Sequence, residues 1–298
     1  AGLPHENIKS FASSFDQTIS LKPDMLQLGF LKILSGTEME IYAKKHSSEN
    51  GYQWMSKPPY EVLQSPDLSY AELLFLKDIE EVLDLFYNSG IFKTICLFIL
   101  LKDESLFDFF SSFVFYCRIK EHFKIKHKTQ SWAKIISDFF QDIAESSQEN
   151  SLGNLSENSP ENSLENSQEN VTANSSQSQF INTKKIDSFI SKNKKYLYEL
   201  LRFDFLRIVK PGNIPSWFER HYNKDKHHAA LLAHSEIKST REAYAYSDYD
   251  EFAINPLTFE TESNPQNQPY TILFLYPKPQ EKKAGDTQRE TKVVGEKL

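Results

Sequence analysis

Apolar residues at helical spacing fill two long parts of the chain, and this pattern constrains the fold most. Between residues 69 and 143 they recur every three or four positions, and the spacing resumes over 186–204. Residues three and four apart share one face of a helix, so the spacing predicts amphipathic helices. Many of these positions are phenylalanine, which at such density usually forms a core. We predict a mainly helical domain in two parts, 91–145 and 181–280, with 91–143 helical throughout.

The first ninety residues carry a different order of elements. Ala1 to Pro4 is typical of the end of a buried strand, 7–21 of an amphipathic helix, and 25–31 of a strand buried on both faces. Thr37 and Glu40 have the spacing of a capping box at a helix start. Alternating strands and helices indicate a parallel sheet covered by helices. The sequence thus predicts an α/β segment over 1–90.

Two further segments depart from the helical pattern. Residues 146–180 form a degenerate repeat of Glu, Asn and Ser, with little apolar area to offset the entropy of ordering, and we predict that this insert is disordered. Near the C-terminus, apolar residues alternate at Leu257 and Phe259 and again from Tyr270 to Tyr276. That period of two predicts a small β-hairpin. The charged residues 281–298 are predicted to be a disordered tail.

The balance of charge bears on partners and location. Acidic residues number 41 against 34 basic ones, whereas a nucleic-acid-binding surface usually needs a basic excess. The most apolar run, 91–101, is shorter than the roughly 20 residues that cross a bilayer. The N-terminus lacks the basic and apolar segments of a secretory signal. We predict a cytoplasmic protein that binds neither nucleic acid nor membrane.

Cysteines and histidines are the first candidates for chemistry. Cys96 and Cys117 lie in apolar runs, which predicts buried reduced thiols, and two cysteines cannot supply a metal-ligand set by themselves. Four histidines cluster at positions 221, 227, 228 and 234. A helix would turn the adjacent His227 and His228 about 100° apart. We therefore favour surface histidines over a metal site.

One carboxylate is a further candidate. Asp204 lies between aromatic residues in the run Leu-Arg-Phe-Asp-Phe-Leu. A catalytic acid would need a partner that the sequence does not identify. We favour a buried structural carboxylate that pairs with Arg202 or Arg207.

Several motifs resemble one enzyme family. The stretch "AGLPHENIKSFASSF" and the later "LQLGFLKILSGT" resemble the fifth strand, its helix and the sixth strand of a radical SAM barrel. "PPYEVLQSPDLSYAELLFLKDIEEVLDLFYNSGIF" and "YLYELLRFDFLR" resemble a bacterial subgroup of that family. Its members have an N-terminal cobalamin-binding domain, a radical SAM barrel and a C-terminal domain of uncharacterised function. Residues 1–92 and 186–276 carry most of the resemblance.

The resemblance implies a fold and a set of cofactors. It implies an α/β remnant of a partial TIM barrel, followed by a mainly α-helical domain with a small C-terminal β-hairpin. In the family, a Cys-X3-Cys-X2-Cys loop binds a [4Fe–4S] cluster that cleaves S-adenosylmethionine (SAM) to a radical. This chain has two cysteines, 21 positions apart. The resemblance therefore implies a C-terminal fragment without its own cofactor, whose partner is the missing N-terminal portion holding SAM, the cluster and cobalamin.

The resemblance also assigns candidate site residues. In the family the ends of the fifth and sixth strands lie near the adenine of SAM. The matching positions, which we predict to form part of a SAM wall, are Gly2, Leu3, Pro4, Gln27 and Leu28. For Leu3 and Leu28 a place in the barrel core is an equal alternative. No catalytic residue and no metal ligand is assigned to this chain.

Three functional hypotheses remain open at this point. The first is a fragment of a cobalamin-type radical SAM enzyme. The second is a helical accessory module that binds a substrate or partner and has no activity of its own. The third is a degraded gene product, for which the repeat insert is the motivation.

Overall fold

The structure, a computed structural model, describes residues 1–153, 183–209, 214–215, 217–234, 237–259, 269–276 and 291–296. The chain divides into two units. Unit 1 comprises Ala1–Gly90, Ile99–Lys126 and Ile143–Phe189, and unit 2 comprises Ile91–Phe98, His127–Asp142 and Ile190–Leu298. The predicted boundary at residue 90 coincides with the end of one segment of unit 1. The two predicted helical parts, 91–145 and 181–280, each contribute to both units.

Unit 1 begins with a strand-like segment that pairs in parallel with residues 29–31. The Ala1 amino group donates to the Gly29 carbonyl, and the Leu31 amide donates to the Ala1 carbonyl at 2.9 Å. The helix α1 (Ile8–Ser20) connects the two segments. Asn7 accepts hydrogen bonds from the first-turn amides of α1, which satisfies otherwise unpaired donors. The predicted helix and its buried apolar stripe are confirmed.

The predicted strand at 25–31 is extended, but it is not buried on both faces. Met25, Gln27 and Gly29 are exposed. Beyond it, the Ile33 amide donates to Tyr60 and the Val62 amide donates to Leu31, each at 2.9 Å. This second pairing is antiparallel. Alternate side chains of this segment therefore reach solvent.

The remainder of unit 1 is mainly helical. It contains α2 (Glu38–Lys45), a small antiparallel sheet of β1 (Gln53–Trp54) and β2 (Val62–Gln64), and α3 (Tyr70–Leu83), which continues as a π-helical turn, Asp84–Asn88. The helix α5 (Leu106–Ile119) packs on α1 and α3. The core between them is built of phenylalanine rings, for example Phe86 and Phe113, whose centroids lie 5.1 Å apart in an edge arrangement. The predicted aromatic core is confirmed.

The stretch 91–143 is interrupted rather than helical throughout. It forms α4 (Lys93–Leu101), α5 and the start of α6 (Thr129–Gly153). Ser105 caps α5 and so begins a new helix, while Asp103 and Glu121 adopt left-handed backbone angles that end the preceding ones. Helix α6 extends into the insert predicted to be disordered from 146. The rest of that prediction, 154–180, lies outside the described residues.

Unit 2 contains a three-stranded antiparallel sheet. Its strands β3 (Ser247–Phe252), β4 (Tyr270–Leu275) and β5 (Lys292–Glu296) follow the order β3-β4-β5. Unit 2 also contains α8 (Lys224–Ala233), α9 (Thr240–Ala243) and the part of α7 (Thr183–Ile208) that follows residue 189. The first part of α4 and most of the described length of α6 before residue 143 belong to the same unit. On one face of the sheet, Phe203 of α7 contacts Phe252 and Phe274, with ring centroids 6.0 and 5.8 Å apart.

Two predictions for the C-terminal region are corrected. The strand at 270–276 is confirmed, but its partner is Ser247–Phe252 rather than the segment around Leu257 and Phe259, where the chain turns. The acidic sequence Ser-Asp-Tyr-Asp-Glu-Phe does not have the composition of a buried strand. The region predicted as a tail, 281–298, contributes β5, because β4 offers a free edge to its Val-Val pair.

At the coarse level, the described residues are mainly helical and form two small antiparallel sheets. The partial barrel stays a prediction. Among the described residues, no single helix is long and apolar enough to cross a membrane. One bent pair, Tyr70–Asn88 with Lys93–Leu101, reaches that length and composition only when the two helices are taken together.

Candidate functional site

The five residues predicted to form a SAM wall lie in unit 1, on opposite sides of the paired residues Ala1 and Phe30. The parallel pairing sets Phe30 opposite Ala1, so residues 2–4 continue beyond the pair while residues 27–28 precede it. Gly2 is buried, and Leu3 is exposed. Of the others, Pro4 and Leu28 are half-buried and Gln27 is exposed. The structure therefore brings Gly2, Leu3 and Pro4 together. Gln27 and Leu28 lie on the opposite side of the pair formed by Ala1 and Phe30. The role of all five residues stays a prediction.

Gly2 is fixed by the packing of the protein itself. Its backbone φ is +92°, in the region that favours glycine. A Cβ atom at this position would lie 2.6 Å from Cγ1 of Val62. The Tyr52 hydroxyl donates to the Gly2 carbonyl at 3.3 Å. Contacts with β2 and Tyr52 are therefore sufficient to explain why this residue has no side chain.

The two cysteines do not fit an iron–sulfur cluster. Cys96 and Cys117 are free and fully buried, on α4 and α5. Burial raises the pKa of both thiols, whereas cluster ligands are thiolates. In the part of the chain that the structure describes, no group of three His, Cys, Asp or Glu side chains could hold a metal ion. The prediction of buried reduced thiols is confirmed.

Most of the buried Asp, Glu and Arg side chains among the described residues lie along the edge of β3 that faces away from β4. We call this set the edge network, and its members are Glu199, Arg202, Arg220, Asp248 and Asp250. Arg202 and Asp250 are 1% and 0% exposed, and Asp248 and Glu199 are also buried. Charged side chains are almost never buried to this degree unless they are paired. All five belong to unit 2.

The register of the sheet determines which backbone groups face this edge. The Tyr276 amide donates to the Tyr246 carbonyl, and the pairing continues as Asp248 with Phe274 and Asp250 with Ile272. In an antiparallel ladder alternate residues bond to the partner strand. The amides and carbonyls of Tyr249 and Glu251 therefore point away from β4.

Carboxylates of the edge network accept from the outward amides. The Tyr249 amide donates to Asp248 Oδ1 at 2.8 Å, and the Glu251 amide donates to Asp250 Oδ1 at 2.9 Å. One position further along, the Ala253 amide donates to Glu199 Oε2 at 3.2 Å. The amides of Tyr249, Glu251 and Ala253 thus have side-chain acceptors in place of a neighbouring strand.

Arginines of the edge network donate to the outward carbonyls. Arg220 Nη2 lies 3.2 Å from the Tyr249 carbonyl, and Arg202 Nη1 lies 3.4 Å from the Glu251 carbonyl. The same arginines form ion pairs with the carboxylates. Arg220 pairs with Asp248, and Arg202 lies 2.9 Å from both Glu199 and Asp250.

A short segment of chain is anchored by the same groups. Arg202 Nε donates to the Glu219 carbonyl at 2.9 Å, and the His221 amide donates to Asp250 Oδ1 at 2.7 Å. Burial raises the pKa of Asp248, and Arg220 opposes this shift. Asp248 Oδ2 is buried without a hydrogen bond to the described residues. Arg202 Nη2, Arg220 Nε and Asp250 Oδ2 are buried in the same way. The other hydrogen bonds of the network are to backbone groups or between its own charges, which favours a structural role.

Asp204 joins two elements of unit 2. Its Oδ1 accepts from the Thr94 hydroxyl at 2.6 Å and from Arg207 at 3.1 Å. Burial raises its pKa to about 7, against the lowering effects of Arg207 and of the Thr94 hydroxyl and amide at the start of α4. The predicted structural carboxylate is confirmed, with Arg207 rather than Arg202 as its arginine partner.

The prediction that the clustered histidines lie on the surface is wrong for His227. It is 2% exposed, with Nδ1 3.1 Å from the Tyr222 hydroxyl and Nε2 3.0 Å from Ser247 Oγ. Burial, reinforced by Arg220, lowers its pKa to about 4, so the ring is neutral near pH 7. His221 and His228 are exposed, as predicted. Helix α8 turns only one of the adjacent pair toward the sheet.

Sequence reasoning missed the edge network because its members are spread over three segments. The available signal was the pair Asp248 and Asp250, which lie two positions apart and so share one face of a strand. Two acids on one buried face require basic partners. Nothing in the sequence identifies those partners as Arg202 and Arg220.

Comparison with known proteins gives one match. A family model described as "Protein of unknown function (DUF4080)" matches residues 48–274. No match was found among curated proteins or among solved structures. The matched range includes β3, all but the last residue of β4 and every member of the edge network, and it covers well over half of the chain. The chain belongs to the DUF4080 family.

Proposed function

We propose that the chain is part of a cobalamin-type radical SAM enzyme. In this proposal residues 1–90 belong to the end of the barrel, and the helical parts 91–145 and 181–280 are an accessory domain without catalytic residues of its own. The motifs quoted above carry the resemblance. The proposal assigns the radical chemistry to a portion of the enzyme that holds the cluster cysteines.

The observation that supports it most is the parallel pairing of Ala1 with residues 29–31 across α1. A strand, a helix and a second parallel strand form the unit from which α/β barrels are built. The family match starts at residue 48, after this unit. The match therefore includes the second part of the predicted barrel end and most of the accessory domain.

The residues of this chain have a limited part in the proposed reaction. Gly2, Leu3 and Pro4 follow the first strand of the pair, where barrel enzymes place their ligands. We propose that these three residues contact SAM. The structure gives less support to Gln27 and Leu28, because they precede residues 29–31, which pair with Ala1. Cys96 and Cys117 take no part, since both are buried thiols.

The experiment starts from the coding DNA before the Ala1 codon. We expect it to encode a Cys-X3-Cys-X2-Cys segment, in frame or behind a frameshift. The protein of the full reading frame, expressed without oxygen and supplied with iron and sulfide, should then convert SAM to 5′-deoxyadenosine, measured by chromatography. A variant with those three cysteines changed to alanine is the control and should form none.

Two results would contradict the proposal. The first is unrelated coding sequence in front of Ala1. The second is a full-length protein that shows the electron paramagnetic resonance signal of a reduced [4Fe–4S] cluster and still forms no 5′-deoxyadenosine.

A further inference from the structure

The connection between α5 and α6 exposes two aliphatic side chains. Helix α5 ends at Ile119, and a short 3-10 turn, His122–Lys124, follows it. Ile119 and Ile125, on either side of this turn, are each 68% exposed. Side chains exposed to this extent project from the surface and do not line a groove. Single exposed aliphatic residues are ordinary, whereas a pair beside one short turn is a candidate contact with another surface.

Basic residues surround these two isoleucines. We call residues 118–126 the basic turn; it contains four Lys or Arg residues and one acidic residue, Glu121. The whole segment belongs to unit 1. Arg118 forms an ion pair with Asp78 at 2.6 Å, and Lys124 forms one with Glu121 at 2.6 Å in which both side chains are well exposed. In a chain of net charge −7, the basic turn is thus a local excess of positive charge.

We propose that the basic turn docks on a membrane surface of anionic phospholipid, with Ile119 and Ile125 inserted among the headgroups. The charge favours this partner, because anionic leaflets attract lysines and arginines that lie next to them. The projecting isoleucines favour a membrane over an acidic protein. A protein partner would need a pocket for each of them, whereas the boundary between headgroups and acyl chains accepts an apolar side chain at any point.

The lysines of the basic turn suit the same boundary. A lysine stem can lie along the apolar layer while its ammonium group stays at the phosphates. The expectation of no membrane contact rested on the length of apolar runs, which decides whether a helix crosses the bilayer. A peripheral contact needs only exposed apolar side chains with basic neighbours, and their exposure is known only from the structure. This inference is independent of the proposed enzymatic function.

The test is co-sedimentation of the full chain with two kinds of vesicle. One kind contains phosphatidylserine and phosphatidylcholine in equal parts, and the other contains phosphatidylcholine alone. We expect binding at low salt to the anionic vesicles and much weaker binding to the others. Salt at about 1 M shortens the electrostatic range to about 3 Å and should release most of the protein. Equal binding to both kinds of vesicle, or binding to neither, would overturn the inference.

Two pairs of substitutions separate insertion from charge. Ile119→Ser with Ile125→Ser should lower the partition coefficient on anionic vesicles by about tenfold or more, because the apolar side chains that leave water are gone. Lys120→Gln with Lys126→Gln should lower it by about fivefold for each lysine. If the isoleucine variant binds as tightly as wild type, the inferred insertion is wrong.

The matched control is Leu21→Ser with Met25→Ser. These side chains are 81% and 58% exposed and also lie in unit 1. The three residues between them include one Lys and one Asp, so this segment has no basic excess. The control should bind anionic vesicles as wild type does. An equal loss of binding in the control would assign the effect to exposed apolar area in general and contradict the role of the basic turn.

A polarity-sensitive dye measures the insertion itself. Cys96 and Cys117 are fully buried, so Ile125→Cys provides an exposed thiol for labelling. The emission of the dye should shift to the blue with anionic vesicles and stay unchanged with phosphatidylcholine. The same dye at Leu21→Cys should respond to neither. A protein that sediments with anionic vesicles without a blue shift at position 125 would refute the insertion.

Discussion

Asp204 and Gly2 show how single residues are constrained by their surroundings. Asp204 is fully buried against the start of α4, where its contacts with Thr94 and Arg207 compensate only part of the cost of burying a charge. Gly2 has a left-handed backbone and no room for a side chain. Both residues serve the fold by their contacts, and each leads to a prediction.

Asp204→Asn should flatten the dependence of stability on pH. The pKa is raised from 3.8 to about 7, so between these values the folded chain keeps a proton that the unfolded chain releases. The free energy of unfolding therefore falls as the pH rises through this interval, by up to about 1.4 kcal/mol per pH unit. Asparagine cannot ionise, and its curve from urea denaturation should lack this slope.

The control for Asp204 is Asp103→Asn. Asp103 is exposed and has a left-handed backbone that suits asparagine. Its variant should keep the wild-type slope between about pH 4 and 7. An Asp204 variant with the full wild-type slope would contradict our account of this carboxyl.

Gly2→Ala should lower the free energy of unfolding by about 3 kcal/mol, from backbone strain plus the clash with Val62. Gly36→Ala is the control, because Gly36 has a similar φ of +82° with open space around its Cβ position. It should cost only about 1 kcal/mol. Val62→Ala in the Gly2→Ala background should recover part of the difference, as a double-mutant cycle by urea denaturation would measure. Equal costs at both glycines would refute the packing argument.

At the scale of elements, local sequence is sufficient for the helices and insufficient for β3. The start of α3 is defined by Ser69 and Glu72, each of which satisfies a backbone amide of the other. The strand β3 carries two acids that strands normally avoid. It is stabilised by arginines that lie 28 and 48 positions away in the chain, as the pairs Arg220–Asp248 and Arg202–Asp250 show.

Ser69→Ala should destabilise unit 1 by about 1 kcal/mol, because the amide of Glu72 loses its acceptor at the end of a helix. The measurement is the free energy of unfolding from urea denaturation. Ser14→Ala, at an exposed position inside α1, removes the same hydroxyl from a helix interior and should be neutral or slightly stabilising. Equal effects at both serines would argue against the cap.

At the scale of the whole molecule, unit 2 depends on the last part of the chain. β5 pairs with β4 over five residues and lies beyond the region that the family model matches. Removal of residues 291–298 should expose the second edge of β4. The free energy of unfolding should fall, and hydrogen exchange should quicken at Thr271, Leu273 and Leu275.

The control for this truncation is removal of residues 297–298 alone, which leaves β5 whole. Its stability and exchange rates should match those of the full chain. An unchanged exchange rate at the three β4 amides in the longer truncation would refute the pairing of β5.

The sequence by itself determined the elements whose stabilising contacts are local. Helical spacing and the Ser69 capping box each depend on residues only three or four positions apart. The helices α1 and α3 and the phenylalanine core could therefore be predicted. The strand β4 was predictable for the same reason, because the alternation of apolar residues from Tyr270 to Tyr276 is complete within seven residues.

Only the tertiary structure decided the rest. The partner of β4, the burial of His227 and the edge network all depend on charges and rings brought together from distant segments of unit 2. An acid in a strand costs free energy unless a buried arginine meets it, and its position in the sequence does not specify that arginine. The edge network could therefore be identified only once the structure had placed Arg202 and Arg220 beside β3.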